Sequence, residues 1–191
     1  MRNDAQREMA LTAATLAMVV VVAASNYLVQ FPINDYLTWG AFTYPVAFLI
    51  TDLCNRGFGP ALARKVIFIG FLVAVLASIY LADQRIALAS GSAFLSAQLL
   101  DIVIFNRLRQ ASWWQAPFIS SIVASALDTL LFFSLAFACP PFASETLGCA
   151  SLPWQTWALG DYLVKIGVTL AMLLPFRLIM PLLPRAAARR D

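Results

Sequence analysis

The chain has 191 residues, of which 61% are hydrophobic and 12% are charged, whereas charged residues make up about 25% of a soluble domain. With a mean hydropathy of +0.79, this composition predicts an integral membrane protein and excludes an ordinary soluble domain. The chain has no histidine and only three scattered cysteines. The sequence therefore offers no usual metal cluster and no histidine acid–base pair, and it implies no cofactor.

Six apolar spans predict an all-α, polytopic fold that forms a single domain over residues 1–191. The first span follows a charged head, as in a signal peptide, but it is too long for a signal's apolar region, so we expect an uncleaved helix. Pro45 lies inside the second span, where we expect a break in the helix. The predicted spans cover residues 9–31, 39–54, 66–82, 86–106, 117–139 and 158–183.

The arginines and lysines predict the orientation of these spans. Two lie in the N-terminal head, three in the loop after the second span, two in the loop after the fourth and three in the tail, whereas the opposite loops hold only Arg85. Because basic residues accumulate on the cytoplasmic side of a membrane protein, both termini are expected in the cytoplasm. The basic residues form no patch with interleaved aromatics, so no nucleic-acid partner is expected.

The fifth span carries a single carboxylate, Asp128, among more than twenty uncharged residues. At 1.5 Å per residue, Asp128 lies about 16 Å from Pro117, close to the middle of a bilayer. A charge at that depth is costly, so its side chain is expected to face the interior of the helix bundle. It ranks first as a substrate-binding residue, and the alternative is a protonated aspartate that only holds helices together.

Further polar residues lie within the other spans and predict a shared internal cavity. Asp161 and Lys165 are one turn apart and could instead form a structural ion pair. Asp52 and Asp101 could instead pair with Arg56 and Arg107. The candidate substrate-binding residues are Asn26, Asp52, Gln98, Asp101, Asp128, Asp161 and Lys165.

Two similar segments end the second and fourth spans: LITDLCNR, with Asp52, and QLLDIVIFNR, with Asp101. The spacing from the aspartate to the following Asn-Arg differs between them, so the sequence shows a weak repeat and no strict duplication. In the loop after the fifth span, Cys139 and Cys149 are predicted to lie outside the cytoplasm, where they could form a disulfide or stay unpaired.

Several stretches together are similar to one known family, over residues 22–176. The chain resembles the bacterial queuosine precursor transporter family, also called the vitamin uptake transporter family. It departs from the family in the loop between spans three and four and in the loop with the two cysteines. The matching stretches are SNYLVQ at 25–30, TWGAFTYPVAFLITDL at 38–53 with NRGFG at 55–59 and ARKVIF at 63–68, LDIVIFNRLRQ at 100–110, Trp113-Trp114 with Ala116-Pro117, and residues 125–133 around Asp128.

The resemblance implies uptake of 7-cyano-7-deazaguanine across the bacterial inner membrane, with its 7-aminomethyl form as a further candidate, and no chemistry on the substrate. The polar residues fit such a ligand. One carboxylate can accept hydrogen bonds from the adjacent ring N–H and amino group of a guanine-like ring, while Gln and Asn satisfy the remaining groups. The expected partners are this small molecule and membrane lipid, and a homo-oligomer stays open.

Three other functions fit parts of the sequence. A substrate-binding subunit of an energy-coupling-factor importer would also have six helices, and the pairs Ala10/Ala14 and Ala13/Ala17 are spaced for helix contact with a partner. An intramembrane enzyme could use Asp52 and Asp101 as an acid–base pair, although no catalytic signature is present. A scaffold protein could use the polar residues only to assemble its helices.

Overall fold

Helices make up almost all of the computed structural model, which describes residues 2–28, 31–34, 37–81, 84–138 and 154–183. The all-α fold class is confirmed, with a short antiparallel strand pair added before the second predicted span. The elements are α1 (Arg2–Leu28), β1 (Pro32–Asn34), β2 (Leu37–Thr38), α2 (Gly40–Thr43), α3 (Val46–Phe58), α4 (Pro60–Leu81), α5 (Gln84–Leu108), α6 (Gln115–Phe137), α7 (Trp154–Ile179) and a 3₁₀ turn (Met180–Leu182).

Proline and glycine determine two changes of direction in the chain. α2 ends at Thr43 and α3 begins at Val46, so the break expected at Pro45 is confirmed. After α3, Gly59 has a φ of 90°, a conformation that glycine adopts without strain. Pro60 then takes the first position of α4, where a missing N–H leaves no helical hydrogen bond unmade. The turn is therefore tight, and α4 begins before residue 66.

The helices pack with α5 along α6, α1 along α4, and α7 against α6. A β-carbon built on Gly70 in α4 would lie 2.6 Å from Cγ of Met18 in α1, closer than carbon atoms approach without a shift. A residue without a side chain therefore lets these two helices pack closely, as small residues do in membrane proteins.

The outside of the bundle is apolar and its interior holds polar groups. Large aliphatic side chains such as Leu88 and Leu174 are exposed, as expected for a surface that contacts lipid. Among the residues that the structure describes, four segments are long and apolar enough to cross a membrane, namely Glu8–Ser25, Leu88–Leu108, Gln115–Phe137 and Trp154–Leu182. The buried polar side chains include Asp52, Gln98, Asp101, Asp128 and Lys165. The residues that can recognise a ligand are thus inside.

Candidate functional site

A narrow crevice with a cavity volume of about 10 Å³ lies beside the Pro45 break, between α3, α6 and α7. Its walls are mostly apolar and include the rings of Phe48 and Phe176, while Asp52 and Ser121 contribute polar groups. Small-molecule sites have this character, with apolar walls and a few placed polar groups, at volumes of about 300–1,000 Å³. The crevice is far below that range and has room for about one water molecule, so the helices must move apart before a ligand can enter.

Beyond the crevice, one buried lysine links three parts of the bundle in what we call the lysine cluster (Tyr44, Asp128, Thr129, Asp161, Lys165). Nζ of Lys165 lies 2.8 Å from Oδ2 of Asp128 and 2.5 Å from Oδ2 of Asp161. The Tyr44 hydroxyl donates to Oδ1 of Asp128 at 3.2 Å, and the Thr129 hydroxyl donates to Oδ2 of Asp161 at 2.7 Å. The cluster therefore ties α7 to α6 and to the link between α2 and α3.

This geometry changes the role expected for Asp128. Its carboxylate does face the bundle interior, with 3% of the residue exposed. Both oxygens, however, already accept hydrogen bonds, Oδ1 from Tyr44 and Oδ2 from Lys165. The ion pair between Asp161 and Lys165 is present, and Asp128 shares the same ammonium.

A second polar group is centred on what we call the carboxyl pair, Asp52 of α3 and Asp101 of α5. Both side chains are buried, and the two carboxyls lie close enough to interact directly. Ser121 of α6 donates to Oδ2 of Asp52 at 3.4 Å. Next to the pair in sequence, Thr51 donates to Oε1 of Gln98 at 2.6 Å. The helices α3 and α5 thus meet through polar side chains within their spans.

Several of these buried side chains keep unused hydrogen-bonding atoms. In the described residues, Oδ1 of Asp52 has no hydrogen-bond donor other than the neighbouring Asp101 carboxyl. Nε2 of Gln98, the side-chain amide of Asn55 and the hydroxyl of Ser125 also have no partner in the described part of the chain. Since buried polar groups are normally satisfied, these atoms mark places where a ligand or water is expected to bind.

An apolar layer separates the lysine cluster from the carboxyl pair. Phe48 of α3, Ala97 of α5 and Ala124 of α6 pack together and against the Tyr44 ring; we call the first three the Phe48 layer. Along α3, Phe48 lies one turn from Asp52, and along α6, Ala124 lies one turn from Asp128. A ligand passing from one polar group to the other must therefore displace this layer.

The arginines near the carboxyl pair do not neutralise it. The expected alternative, in which Arg56 and Arg107 pair with Asp52 and Asp101, is not what the structure shows. Arg56 donates to the main-chain oxygen of Arg109 at 2.8 Å, and Arg107 is exposed. The physical reason is that both carboxyls point into the helix interface, whereas these arginines lie at or near the helix ends.

Arg177, in the last turn of α7, could lie at the membrane interface or contact a substrate, and its guanidinium carbon lies 4.8 Å from the Trp113 ring centre. Arg177 is exposed. A cation over an indole face is a stable arrangement at a membrane interface. The contact favours the interfacial role.

Some predicted positions lie outside the described residues. Cys139 and Cys149 are among them, so their pairing stays a prediction. Asn26 lies in the last turn of α1, but its side chain is not among those described.

Sequence reasoning missed the hydroxyl groups that support the site, those of Ser121 and Thr129 in particular. Serine and threonine are common in membrane helices and carry little signal individually. The spacing of Ser121, Ser125 and Asp128, which places them along one face of α6, was the available indication.

A bundle of apolar helices with a broken helix, a crevice at the break and buried charges around it is the construction of a membrane transporter. Comparison with known proteins gives the same class. The chain belongs to the vitamin uptake transporter family, whose model, described as "Putative vitamin uptake transporter", matches residues 38–84 and 76–180. No solved structure gives a significant match.

Curated relatives are similar over most of the chain. A "Queuosine precursor transporter" of Escherichia coli (strain K12) is 37% identical over 91% of this chain and 87% of the relative. A "Probable queuosine precursor transporter" of Haemophilus influenzae is 34% identical over the same shares of each chain, and one of Bacillus subtilis is 28% identical over 71% of this chain and 68% of the relative. The relatives are named as transporters, and the chain is a transporter and not an enzyme.

Proposed function

We propose that this chain imports queuosine precursors, foremost 7-cyano-7-deazaguanine and also its 7-aminomethyl form, into the cytoplasm. The names of two relatives more than 30% identical over nearly the whole chain carry this proposal. The chain then crosses the inner membrane six times, with both termini in the cytoplasm, as the distribution of basic residues predicts. The unchanged deazapurine is released on the cytoplasmic side.

The ring is recognised in the crevice, and Asp52 is the carboxylate that reads it. A guanine-like edge presents a ring N–H beside an amino group, so its recognition needs an acceptor with a free oxygen. Asp128 has both oxygens engaged by Tyr44 and Lys165. Asp52 lines the crevice and, in the described residues, has Oδ1 free of any donor other than the Asp101 carboxyl.

The rest of the crevice supports a flat aromatic ligand. Phe48 and Phe176 lie in its wall and supply faces on which a deazapurine can stack. Ser121 holds the second oxygen of Asp52, which orients the carboxylate. Gln98 and Asp101 do not line the crevice. We assign them a role in holding Asp52 in place, and they come within reach of the ligand once the helices move. Asn26 stays a predicted contact from α1.

Movement of the Phe48 layer supplies the change of access. In the present structure the layer lies between the carboxyl pair and the lysine cluster. The break at Pro45 lies one residue from Tyr44 and within one turn of Phe48, so a change of angle there moves both side chains together. Transporters commonly place their substrate site at such broken helices.

Uptake into proteoliposomes tests the proposal. The purified full-length chain is reconstituted without any ATPase or ATP, and exchange of labelled for unlabelled 7-cyano-7-deazaguanine is measured. We expect saturable exchange, absent from protein-free liposomes and slower with Asp52→Asn. The control variant is Glu8→Gln, which makes the same change of carboxylate to amide at an exposed position.

Absence of exchange by a correctly folded preparation would contradict the proposal. If exchange appeared only after an energy-coupling ATPase complex was added, the chain would instead be a substrate-binding subunit of such an importer.

A further inference from the structure

The lysine cluster carries an unbalanced charge. Two carboxylates, Asp128 and Asp161, share the single ammonium of Lys165, so the formal charge of the cluster is −1. The side chains of Asp128 and Lys165 are each 5% exposed and that of Asp161 is 17% exposed. An uncompensated charge inside a membrane protein is strongly disfavoured. The cluster therefore needs one more positive charge.

Within the described residues, no further basic side chain supplies that charge. The titratable groups that face Asp128 in the described residues are Tyr44 from the α2–α3 link and Asp161 and Lys165 from α7. From α5, the carboxyl of Asp101 faces Asp52 on the other side of the Phe48 layer. As far as the structure describes the chain, the missing positive charge has no protein source, which points to a bound ligand.

A second observation indicates a binding position. The Ser125 hydroxyl is 1% exposed and has no partner in the part of the chain that the structure describes. It lies one turn before Asp128 and Thr129 on the same face of α6, since residues three and four apart are neighbours on a helix surface. Carboxylate and hydroxyl oxygens are ligands of small hard cations, and a carboxylate also accepts a proton.

We propose that the lysine cluster, with Ser125, binds one exchangeable monovalent cation, a proton or a sodium ion. The cation neutralises the cluster. The cluster lies next to the break at Pro45, because its member Tyr44 is the residue before that proline. The cation thereby enters together with the imported molecule; this coupling, unlike the binding itself, rests on the proposed function.

Binding is tested on the purified full-length chain without any deazapurine. Binding of ²²Na⁺ is measured, and in parallel the carbonyl stretch of protonated carboxyl groups is followed by infrared spectroscopy through a pH series. We expect the parent to show either saturable sodium binding or a carboxyl band that appears and disappears reversibly with pH.

Two variants neutralise the cluster from different helices. Asp161→Asn leaves the Asp128–Lys165 pair, and Asp128→Asn leaves the Asp161–Lys165 pair, so at least one should keep its fold. The sodium binding, or the corresponding part of the carboxyl signal, should be lost in both folded variants and kept in Glu8→Gln. Parent protein with neither signal, or a signal that persists in a folded variant, would overturn the proposal.

Coupling is tested in the same preparation reconstituted in liposomes. A proton gradient with the acidic side outside and a sodium gradient with the higher concentration outside are imposed separately. One of them should accelerate uptake of labelled 7-cyano-7-deazaguanine by the parent. In Asp161→Asn the gradient should no longer change the rate. Exchange without any gradient reports the proposed function separately, so exchange that proceeds while both gradients are ineffective would refute coupling alone.

Discussion

Arg56 and Arg109 each donate hydrogen bonds to the other's main-chain carbonyl oxygen. Arg56 reaches the oxygen of Arg109 at 2.8 Å, and Arg109 reaches those of Arg56 and Asn55, both at 2.6 Å. The carboxyl-terminal ends of α3 and α5 are thereby joined, and each guanidinium donates to carbonyls at a helix end, where intrahelical donors run out. The Asn55 oxygen also accepts the Gly59 N–H. Partial burial, followed by the nearby charge of Arg56, lowers the pKa of Arg109, but an arginine remains charged at neutral pH.

Replacing Arg109 by alanine should loosen this junction. The change removes three charge-assisted hydrogen bonds, to the carbonyls of Asn55 and Arg56 and to Oδ1 of Asn106. A hydrogen bond to a charged group is worth about 1.5–3 kcal/mol. We expect a lower thermal unfolding temperature in detergent. Arg107→Ala is the matched control, because Arg107 lies two residues away and is exposed; an equal loss in both variants would show that the junction contributes nothing specific.

Lys165→Met should destabilise the fold strongly. It leaves Asp128 and Asp161 facing each other without the ammonium that both contact, and breaking a buried ion pair from one side costs about 3–5 kcal/mol. Thermal unfolding in detergent measures the effect, with Lys65→Met at an exposed position of α4 as control. If Lys165→Met unfolds at the parental temperature, the cluster does not hold α6 and α7 together.

Tyr44→Phe should have a smaller effect. The ring contacts with Phe48 and Phe94 remain, while the hydroxyl that donates to Asp128 is lost. A hydrogen bond to a charged group contributes about 1.5–3 kcal/mol, so the unfolding temperature should fall by less than in Lys165→Met. Tyr27→Phe, at an exposed position, serves as the control. A fall in the unfolding temperature of Tyr44→Phe as large as that of Lys165→Met would indicate a packing role for the hydroxyl.

The orientation of the chain is tested by reporter fusions. A reporter after Asp191 should be cytoplasmic, and one inserted within residues 144–152 should lie on the opposite side of the membrane. The reason is that ten basic residues lie on the predicted inner side and only Arg85 on the other. Finding both reporters on the same side would remove the six-span topology.

The helices were predictable because apolar runs and proline are strong local signals. The break at Pro45 needed only the ring of that residue, and the turn before α4 only Gly59 and Pro60. Some observed helix ends differ from the predicted ones by several residues. The helix α4 begins at Pro60 and not at residue 66, because the positive φ of Gly59 lets the next helix begin directly after it.

The site was predictable in its residue types but not in its pairings. Asp128, Asp161 and Lys165 each stood out as charges within apolar spans, yet which charges meet depends on how α6 and α7 are rotated. That rotation is set by packing over the whole interface between the helices, and this packing cannot be read from the sequence. For the same reason, the sequence ranked Asp128 above Asp52, although the partners of Asp128 leave no oxygen free.

Binding of 7-cyano-7-deazaguanine to the purified chain tests the role of Asp52 most directly. Isothermal titration calorimetry compares the parent, Asp52→Asn and the control Glu8→Gln. Asparagine keeps one acceptor, which the Ser121 hydroxyl occupies, and presents an amide N–H where the ring's own N–H groups need an oxygen. We predict saturable binding by the parent and by Glu8→Gln, and an affinity for Asp52→Asn that is roughly one to two orders of magnitude weaker. Equal affinity of parent and Asp52→Asn, or no saturable binding by the folded parent, would contradict the assignment.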